Sequence, residues 1–210
     1  NKNIHVHLDT SLSKVEGFVG NFEATLSNNG SKEELEFGVA VMATGASPLK
    51  PDEYHYGDDP RILSSLELDK KFIGLDPGLK KLKTAVFIQC VGSREPHRPY
   101  CSRVCCTHSI DNALQLKKLN PDMNIIILYR DIRTYGEREY LYKEARAAGV
   151  IFMRFSPDNK PKVVLEDGKV LVNTHDPILG RDVQIETDLL SLATAIIPNS
   201  AEELANFFRD

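Results

Sequence analysis

The sequence predicts an α/β fold in which a parallel sheet carries crossover helices and is joined to an antiparallel β meander. Two short apolar runs, 85–88 and 125–129, flank a stretch with helical periodicity. That order favours parallel strands joined by a right-handed crossover. Three short β-type runs between 162 and 185 are separated by turn residues, which is typical of antiparallel strands.

Length and composition are those of an ordinary globular protein. The 210 residues allow one large or two small domains, and 41% of them are apolar and 27% charged. A net charge of −4 gives no support to nucleic-acid binding. Apolar runs stay well short of the 18 residues of a membrane span, and the clustered cysteines do not resemble a secreted disulfide framework. We therefore expect a cytoplasmic protein without a direct membrane span, and the start at Asn1 suggests a segment of a longer chain.

The first 48 residues have a β pattern. Ile4, Val6 and Leu8 alternate with polar residues, a further run follows over 15–19, and alternation returns over 22–26 and 35–41. A turn is expected at 28–30, from its Asn-Asn-Gly sequence. The last run becomes apolar on both faces at 39–42, which predicts a meander that leads into one buried strand.

Residues 49–83 are predicted to be a connector because proline and glycine interrupt them repeatedly. A short helix is expected around 64–71. Ser64 would cap it, and Glu67, three residues later, completes the pattern of a capping box.

The remaining elements alternate between helix and strand. A helix over 137–148 should end at Gly149, and a strand should follow over 150–155. Asp167-Gly168 is a strong hairpin signal within the meander. An apolar strand is expected over 189–197, and then a short helix over 200–208 with Ser200 or Asn199 as its cap.

All four cysteines lie within the strand–helix–strand unit. Cys90 ends the first strand, at the sheet edge where open α/β sheets bind ligands, and Cys101, Cys105 and Cys106 lie at or just before the helix start. The positive end of a helix dipole favours thiolates there. The loop has Gly92 but no G-x-G-x-x-G motif, so it does not offer a phosphate cradle.

Four thiolates at one point suggest a metal site. Both an iron–sulfur cubane and structural zinc take four cysteines, but zinc sites usually show two C-x2–4-C pairs, a spacing that this pattern lacks. Adjacent Cys105 and Cys106 point about 100° apart on a helix, which suits a bulky cluster better than one small ion. Zinc, a redox dithiol and inert buried thiols stay open as alternatives. The same loop has basic residues that would offset the charge of a cluster: Arg94, His97, Arg98 and Arg103.

Arg130 and Asp131 follow the second strand, where a nicotinamide-dinucleotide site reads the ribose. Without a glycine-rich loop we interpret them as structural residues or as residues that gate the cysteine site.

Five segments together resemble a known family: 41–45, 89–94, 100–106, 131–136 and 145–154. The chain resembles the middle of the A subunit of heterodisulfide reductase, and it is similar to the A subunit of the quinone-interacting membrane-bound oxidoreductase complex. The resemblance implies a three-layer FAD/NAD(P)-binding-like fold and a [4Fe-4S] cluster on the four cysteines. It also implies residues that approach FAD, namely Ala43, Thr44, Gly45, Pro198 and Asn199.

The resemblance also implies a domain division. Residues 1–48 would be part of an FAD domain, 84–197 a second dinucleotide-binding-like domain with the cysteine motif, and 198–210 a return segment toward the FAD domain. The glycine-rich strand–helix that binds FAD in the family is missing from this sequence. We therefore expect FAD in the complete protein rather than in this chain alone.

The function implied is electron transfer within a multi-subunit, flavin- and iron–sulfur-containing oxidoreductase, in which the chain alone would be inactive. Partners would be the other components of a heterodisulfide reductase-like or quinone-interacting complex, and an electron donor such as a hydrogenase or a ferredoxin. Two alternatives remain. One is an NAD(P)H-dependent disulfide oxidoreductase domain that uses a cysteine pair, and the other is a non-catalytic module stapled by a metal.

Overall fold

A computed structural model describes residues 2–208, which form two compact units. One unit contains the described residues up to Ser47 and from Pro198 onward, and the other is Pro48–Ile197. The strands, numbered in chain order, are β1 (Ser11–Phe18), β2 (Asn21–Asn28), β3 (Ser31–Phe37), β4 (Ala46–Pro48), β5 (Ile62–Ser64), β6 (Thr84–Val91), β7 (Asn124–Tyr129), β8 (Ile151–Arg154), β9 (Lys162–Glu166), β10 (Lys169–Asp176), β11 (Arg181–Thr187), β12 (Leu189–Thr194) and β13 (Ile196–Pro198).

The helices are α1 (Ser65–Ile73), α2 (Cys105–Leu119), α3 (Glu139–Ala147) and α4 (Glu202–Asn206). Short 3₁₀ turns cover Pro77–Lys81 and Gly136–Arg138.

The unit Pro48–Ile197 is built on a five-stranded parallel sheet in the order β5-β12-β6-β7-β8. Alternate residues of β6 face opposite layers. Ala85 and Phe87 pack toward α1, α2 and α3, whereas Val86 and Ile88 pack toward the antiparallel meander β9-β10-β11. Helices, parallel sheet and meander are therefore three layers, which confirms the predicted α/β class.

Both sides of the parallel sheet have a dry core. Phe87, Ile110 and Ile127 are completely buried on the helical side, and Leu190 and Val172 are completely buried on the meander side. Each large apolar side chain buried in this way stabilises the fold by about 1.5–3 kcal/mol. This two-sided core holds the carboxyl ends of β12, β6 and β7 in fixed positions.

Several predicted elements are confirmed. Ser64 caps α1 in a complete capping box with Glu67, and Asp167 and Gly168 both have positive φ in the β9–β10 hairpin. Gly149, with φ of 81°, follows α3 as expected. The predicted connector contributes more than a link, because its residues 62–64 form the edge strand β5 of the parallel sheet.

The other unit contains the antiparallel sheet β1-β2-β3, as predicted for its middle part. Asn29 and Gly30 both have positive φ at the β2–β3 turn, as a type I′ turn requires. The Phe22 ring stacks on Phe37 with 5.4 Å between centroids, and Phe208 meets the Phe22 ring edge-on.

Three expectations for this unit are wrong. The strand expected at Ile4–Leu8 and the buried strand expected over 39–42 are both irregular, and their apolar side chains are exposed. Alternation indicates a strand only where a neighbouring strand can pair, and within residues 2–208 the strands β1, β2 and β3 pair only with one another. The cap of α4 is Ala201, without a side-chain bond, rather than Ser200 or Asn199.

Within the described part of the chain, the helices all fall short of the length and hydropathy that crossing a bilayer requires.

Candidate cysteine site and candidate flavin-binding segments

The four cysteines gather at the carboxyl edge of the parallel sheet. Cys90 lies near the end of β6, Cys105 and Cys106 open α2, and Cys101 lies in the loop between these elements. The order β12-β6-β7 places Cys90 between the ends of its two neighbours. All four thiols are free, and Cys106 is the most buried of them.

Cys90 lies in a β-bulge. Ile88 pairs with Leu192 and Val91 with Thr194, so two residues of β6 face the single Ala193 of β12. Cys90 itself has φ of 63°, a left-handed conformation that non-glycine residues rarely adopt. Bulges redirect side chains near functional sites, and strained backbone concentrates there. The bulge therefore changes the direction of Cys90 relative to the regular alternation of the strand.

The loop after β6 is folded on itself and attached to the sheet. The backbone of Glu95 pairs with that of Arg98, and Arg94 N donates to Tyr100 O at 3.1 Å. Ile196 N donates to Ser102 Oγ at 2.9 Å, and the Tyr100 hydroxyl donates to Ile196 O at 3.2 Å. These bonds fix the position of Cys101, whose sulfur accepts from Arg103 N at 3.4 Å.

The first turn of α2 directs its two thiols to opposite sides of β6. The Cys105 thiol donates to Thr194 O at the end of β12, at 3.9 Å, and the Cys106 thiol donates to Asp131 O beyond β7, at 3.7 Å. The helix cap, Val104, makes no side-chain hydrogen bond. The amides of this first turn therefore have no side-chain acceptor from the cap.

The thiols interact electrostatically with one another. Burial raises the pKa of Cys90, and proximity to Cys101 adds to the rise. Burial raises the pKa of Cys105 to about 11, with further contributions from Cys106, Cys90 and Cys101. Burial raises the pKa of Cys106, and Cys90 and Cys101 add to it. Cys90, Cys105 and Cys106 are thus close enough to other thiols to sense their charge.

The raised pKa values differ from the expectation that the helix dipole would favour thiolates at the start of α2. Burial dominates at Cys105 and Cys106, so their thiols are protonated at neutral pH. A metal would have to displace those protons, and ligand formation would then be linked to proton release.

Positive charge is supplied by residues around the cysteines. Arg94 opposes the effect of burial on the pKa of Cys90, and Arg130 does so more weakly. At Cys106 the backbone of Arg133 opposes the effect of burial on the pKa through a hydrogen bond, and the charge of Arg133 adds a smaller contribution. Arg94 also forms an ion pair with Asp131 at 2.8 Å, and the nearly buried Arg130 pairs with Glu95. Of the four basic loop residues expected to balance a cluster, Arg94 lies beside Cys90, whereas Arg98 donates to Gly92 O at 2.6 Å.

Two arginines beyond β7 support the site in different ways. The guanidinium of Arg130 attaches the cysteine loop, because it donates to Arg94 O at 2.9 Å and to the carboxylate of Glu95. Sequence reasoning does not find Arg133. Its proximity to Cys106 depends on the crossover that brings the end of β7 beside α2, and no local pattern in the sequence signals that contact.

Among residues 2–208, the structure contains no group of three or more His, Cys, Asp or Glu side chains arranged around a single metal ion.

The residues expected to approach FAD lie in the other unit, where the structure brings its two segments together. Asn199 Nδ2 donates to Thr44 O at 2.9 Å, and Asn199 N donates to Gly45 O at 3.1 Å. Gly45 has φ of 75°, and a Cβ there would lie 3.3 Å from Asn199 Nδ2. Ala43 and Pro198 adjoin these residues and are exposed.

Comparison with known proteins relates the chain to one family. It is 32% identical over 191 residues to the iron-sulfur A subunit, number 2, of the CoB--CoM heterodisulfide reductase of Methanopyrus kandleri, a match that covers 81% of this chain and 28% of that protein. It is 31% identical over 188 residues to the A subunit of the H(2):CoB-CoM heterodisulfide,ferredoxin reductase of Methanothermobacter thermautotrophicus, again with 81% and 28% covered. Over this segment, the chain belongs to the family of heterodisulfide reductase A subunits.

No family model matches the chain. Among solved structures, a NAD-dependent persulfide reductase from A. fulgidus is 21% identical, with 95% of this chain and 33% of that chain covered and a TM-score of 0.44. The chain spans less than a third of the length of the heterodisulfide reductase A subunits that it matches.

Proposed function

We propose that Cys90, Cys101, Cys105 and Cys106 hold a [4Fe-4S] cluster and that this chain is an electron-transfer segment of a flavin-containing oxidoreductase. The observation that supports this most strongly is the placement of four free thiols, from a strand end, a loop and a helix start, at one edge of the sheet, where neighbouring thiols contribute to the raised pKa values of Cys90, Cys105 and Cys106. Four cysteine thiolates are the usual ligands of such a cluster. When bound, the cluster would accept and donate single electrons.

The surroundings of the thiols fit a negatively charged sulfur cluster. Arg94 and Arg130 act on Cys90, and one Arg94 nitrogen, Nη1, is buried without a hydrogen-bond partner. The start of α2, which lacks a side-chain cap, has amides that can donate to sulfur. Hydrogen bonds and positive charge of this kind stabilise thiolate ligands and adjust the reduction potential of a cluster.

The alternative interpretations make different demands on the same thiols. A zinc site would use the four sulfurs around one ion, and a redox dithiol would join two of them in a disulfide. The iron–sulfur interpretation is favoured by the relative from Methanopyrus kandleri, whose name describes it as an iron-sulfur component of its reductase.

Flavin and partners belong to the proposal for the complete protein. The contact of Thr44 and Gly45 with Asn199 supports a role for these residues, with Ala43 and Pro198, along one part of an FAD site. By analogy with its relatives, the complete protein would act as one component of a larger reductase. A hydrogenase or a ferredoxin would be its electron donor. Four clustered free thiols suit the reducing conditions of the cytoplasm.

Anaerobic reconstitution tests the cluster. We expect the chain to take up iron and sulfide in equal amounts and to develop a broad visible absorption. Cys105→Ser should abolish or strongly weaken that absorption, whereas Thr107→Ser, in the same helical turn, should leave it unchanged. Equal iron uptake by the wild-type chain and Cys105→Ser would contradict the proposed ligand set.

A further inference from the structure

A groove lies at the end of the parallel-sheet unit opposite the cysteines. It has a volume of about 510 Å³ and runs between the last turn of α1, the 3₁₀ turn Pro77–Lys81 and the last turn of α2. We call it the lysine-rimmed groove. Its apolar and basic lining residues are Phe72, Leu75, Pro77, Leu79, Leu119, Lys71, Lys80 and Lys118.

Leu75 is placed at the groove at an energetic cost. Leu75 N donates to Phe72 O and Asp76 N donates to Lys71 O, both at 3.0 Å, which is the bonding pattern of a Schellman helix end. That pattern needs a left-handed residue, usually glycine, and Leu75 fills the position with φ of 52°. Gly74, one residue earlier, has φ of −74° and does not use its freedom.

Packing within this chain does not explain why an apolar side chain occupies position 75. It is 85% exposed, and Ile73 in the same turn is 83% exposed. A strained backbone that presents an apolar side chain to solvent indicates a role in binding rather than in the core.

The rim of the groove is basic although the whole chain has a net charge of −4. Lys71, Lys80 and Lys118 line it, and among the lining residues they face the single carboxylate of Asp76, which pairs with Lys71 at 2.8 Å. Lysines in the last turns of α1 and α2 also interact favourably with the negative ends of the helix dipoles. The dipoles do not account for the exposed Leu75 beside them.

We propose that the lysine-rimmed groove docks an acidic amphipathic segment of a partner protein. Apolar side chains spaced at i, i+3 and i+4 would enter between Phe72, Leu75 and Leu119, and carboxylates would face Lys80 and Lys118. The 15 residues of α2 separate this end from the cysteines by about 20 Å, so a docked segment leaves the cysteine site open. This inference requires neither a cluster nor a flavin.

A model peptide of leucine, alanine and glutamate at helical spacing provides the probe. Binding to the isotope-labelled chain, followed by NMR, should shift the amide signals of Phe72, Leu75, Gln115 and Lys118. Leu75→Gly should raise the melting temperature, because glycine relieves the strain, and should weaken peptide binding about tenfold. Lys80→Glu combined with Lys118→Glu should weaken binding by about the same factor, and should do so less at high salt.

Two controls make the test decisive. Ile178→Ala removes an exposed apolar side chain outside the groove and should leave binding unchanged. A peptide with lysine in place of glutamate should bind at least about tenfold more weakly than the acidic one. Absence of binding, equal binding of both peptides, or unchanged binding by a stabilised Leu75→Gly chain would each overturn the proposal.

Discussion

The Cys105 thiol connects burial with reactivity. Burial, with help from the neighbouring thiols, raises its pKa to about 11, so a very small fraction is thiolate at neutral pH. The bond that its thiol donates to Thr194 O belongs to this protonated form.

The metal-free chain should therefore be alkylated slowly at Cys105. At pH 8 we expect iodoacetamide to react there about tenfold to a hundredfold more slowly than with an unstructured cysteine, because thiolate is the reactive form. The rate should rise as the pH approaches the pKa of about 11. Mass spectrometry of the Cys105 peptide measures it, with the urea-unfolded chain as the control. Equal rates in the folded and unfolded chains at pH 8 would contradict the account.

The free energy of unfolding should also depend on pH through the Cys105 thiol. Because the pKa of Cys105 is raised from 9.0 to about 11 in the folded chain, burying the thiol stabilises the fold below pH 9, and this contribution is lost as the pH rises toward 11. Cys105→Ala should flatten that part of the stability curve. The free energy of urea unfolding measured across this range, starting from neutral pH, provides the check, and an equally steep fall in both chains would assign the effect to other groups.

Some properties of individual cysteines can be predicted from the sequence and others cannot. The spacing of the cysteines is enough to predict their place at a strand end and a helix start. The bulge at Cys90 has no such signal, because it exists only where β6 is paired with β12. The dominance of burial over the helix dipole at Cys105 and Cys106 is equally hidden in the sequence, since burial depends on the folded loop.

At the scale of elements, the capping box of α1 connects local sequence to the parallel sheet. Ser64 is both the last residue of β5 and the cap of α1, and its backbone N donates to Glu67 Oε2 at 2.7 Å. One residue therefore ends a strand and starts the helix that packs over the sheet.

Ser64→Ala should destabilise the chain by about 1–2 kcal/mol, because it removes the side-chain half of the box. Thermal unfolding followed by circular dichroism measures the change. Ser27→Ala, in a strand of the other unit, should change stability by less than about 0.5 kcal/mol. A loss at Ser64 no larger than that at Ser27 would show that the box contributes little.

Sequence patterns predict elements well where those elements have a partner to pack against. The strands β6 and β7 are recognisable because burial on both faces of the sheet imposes continuous apolar runs, and α2 is recognisable from the helical spacing of its buried residues. The edge strand β5 escapes prediction because its three residues lie in a stretch rich in proline and glycine. The runs at Ile4–Leu8 and 39–42 mislead for the opposite reason, since their apolar residues pair with no strand among residues 2–208.

At the scale of the whole molecule, the cysteine loop occupies the place where a dinucleotide-binding unit has its glycine-rich turn. Gly92 is the one glycine of this loop, and a Cβ there would lie 2.2 Å from Leu49 Cδ2. The Arg98 guanidinium donates to Gly92 O, so a side chain occupies the space beside Gly92 that a glycine-rich turn would leave open.

The chain should therefore bind neither NADH nor NADPH tightly. A pyrophosphate needs free amides that it can approach closely, and this loop uses its own backbone in the turn between Glu95 and Arg98. Isothermal titration calorimetry with each nucleotide is the measurement, with an NAD-dependent dehydrogenase as the positive control. Saturable binding at micromolar concentration would show that the loop still serves a nucleotide.

The central claim is that the four cysteines hold one iron–sulfur cluster, and native mass spectrometry of anaerobically prepared chain tests it most directly. We expect the mass of the chain plus four irons and four sulfides, less the protons displaced from the thiols, and we expect Cys90→Ser to lose that species. A chain that carries a single zinc, one that is lighter by two hydrogens because of a disulfide, or one that binds nothing after reconstitution would contradict the claim.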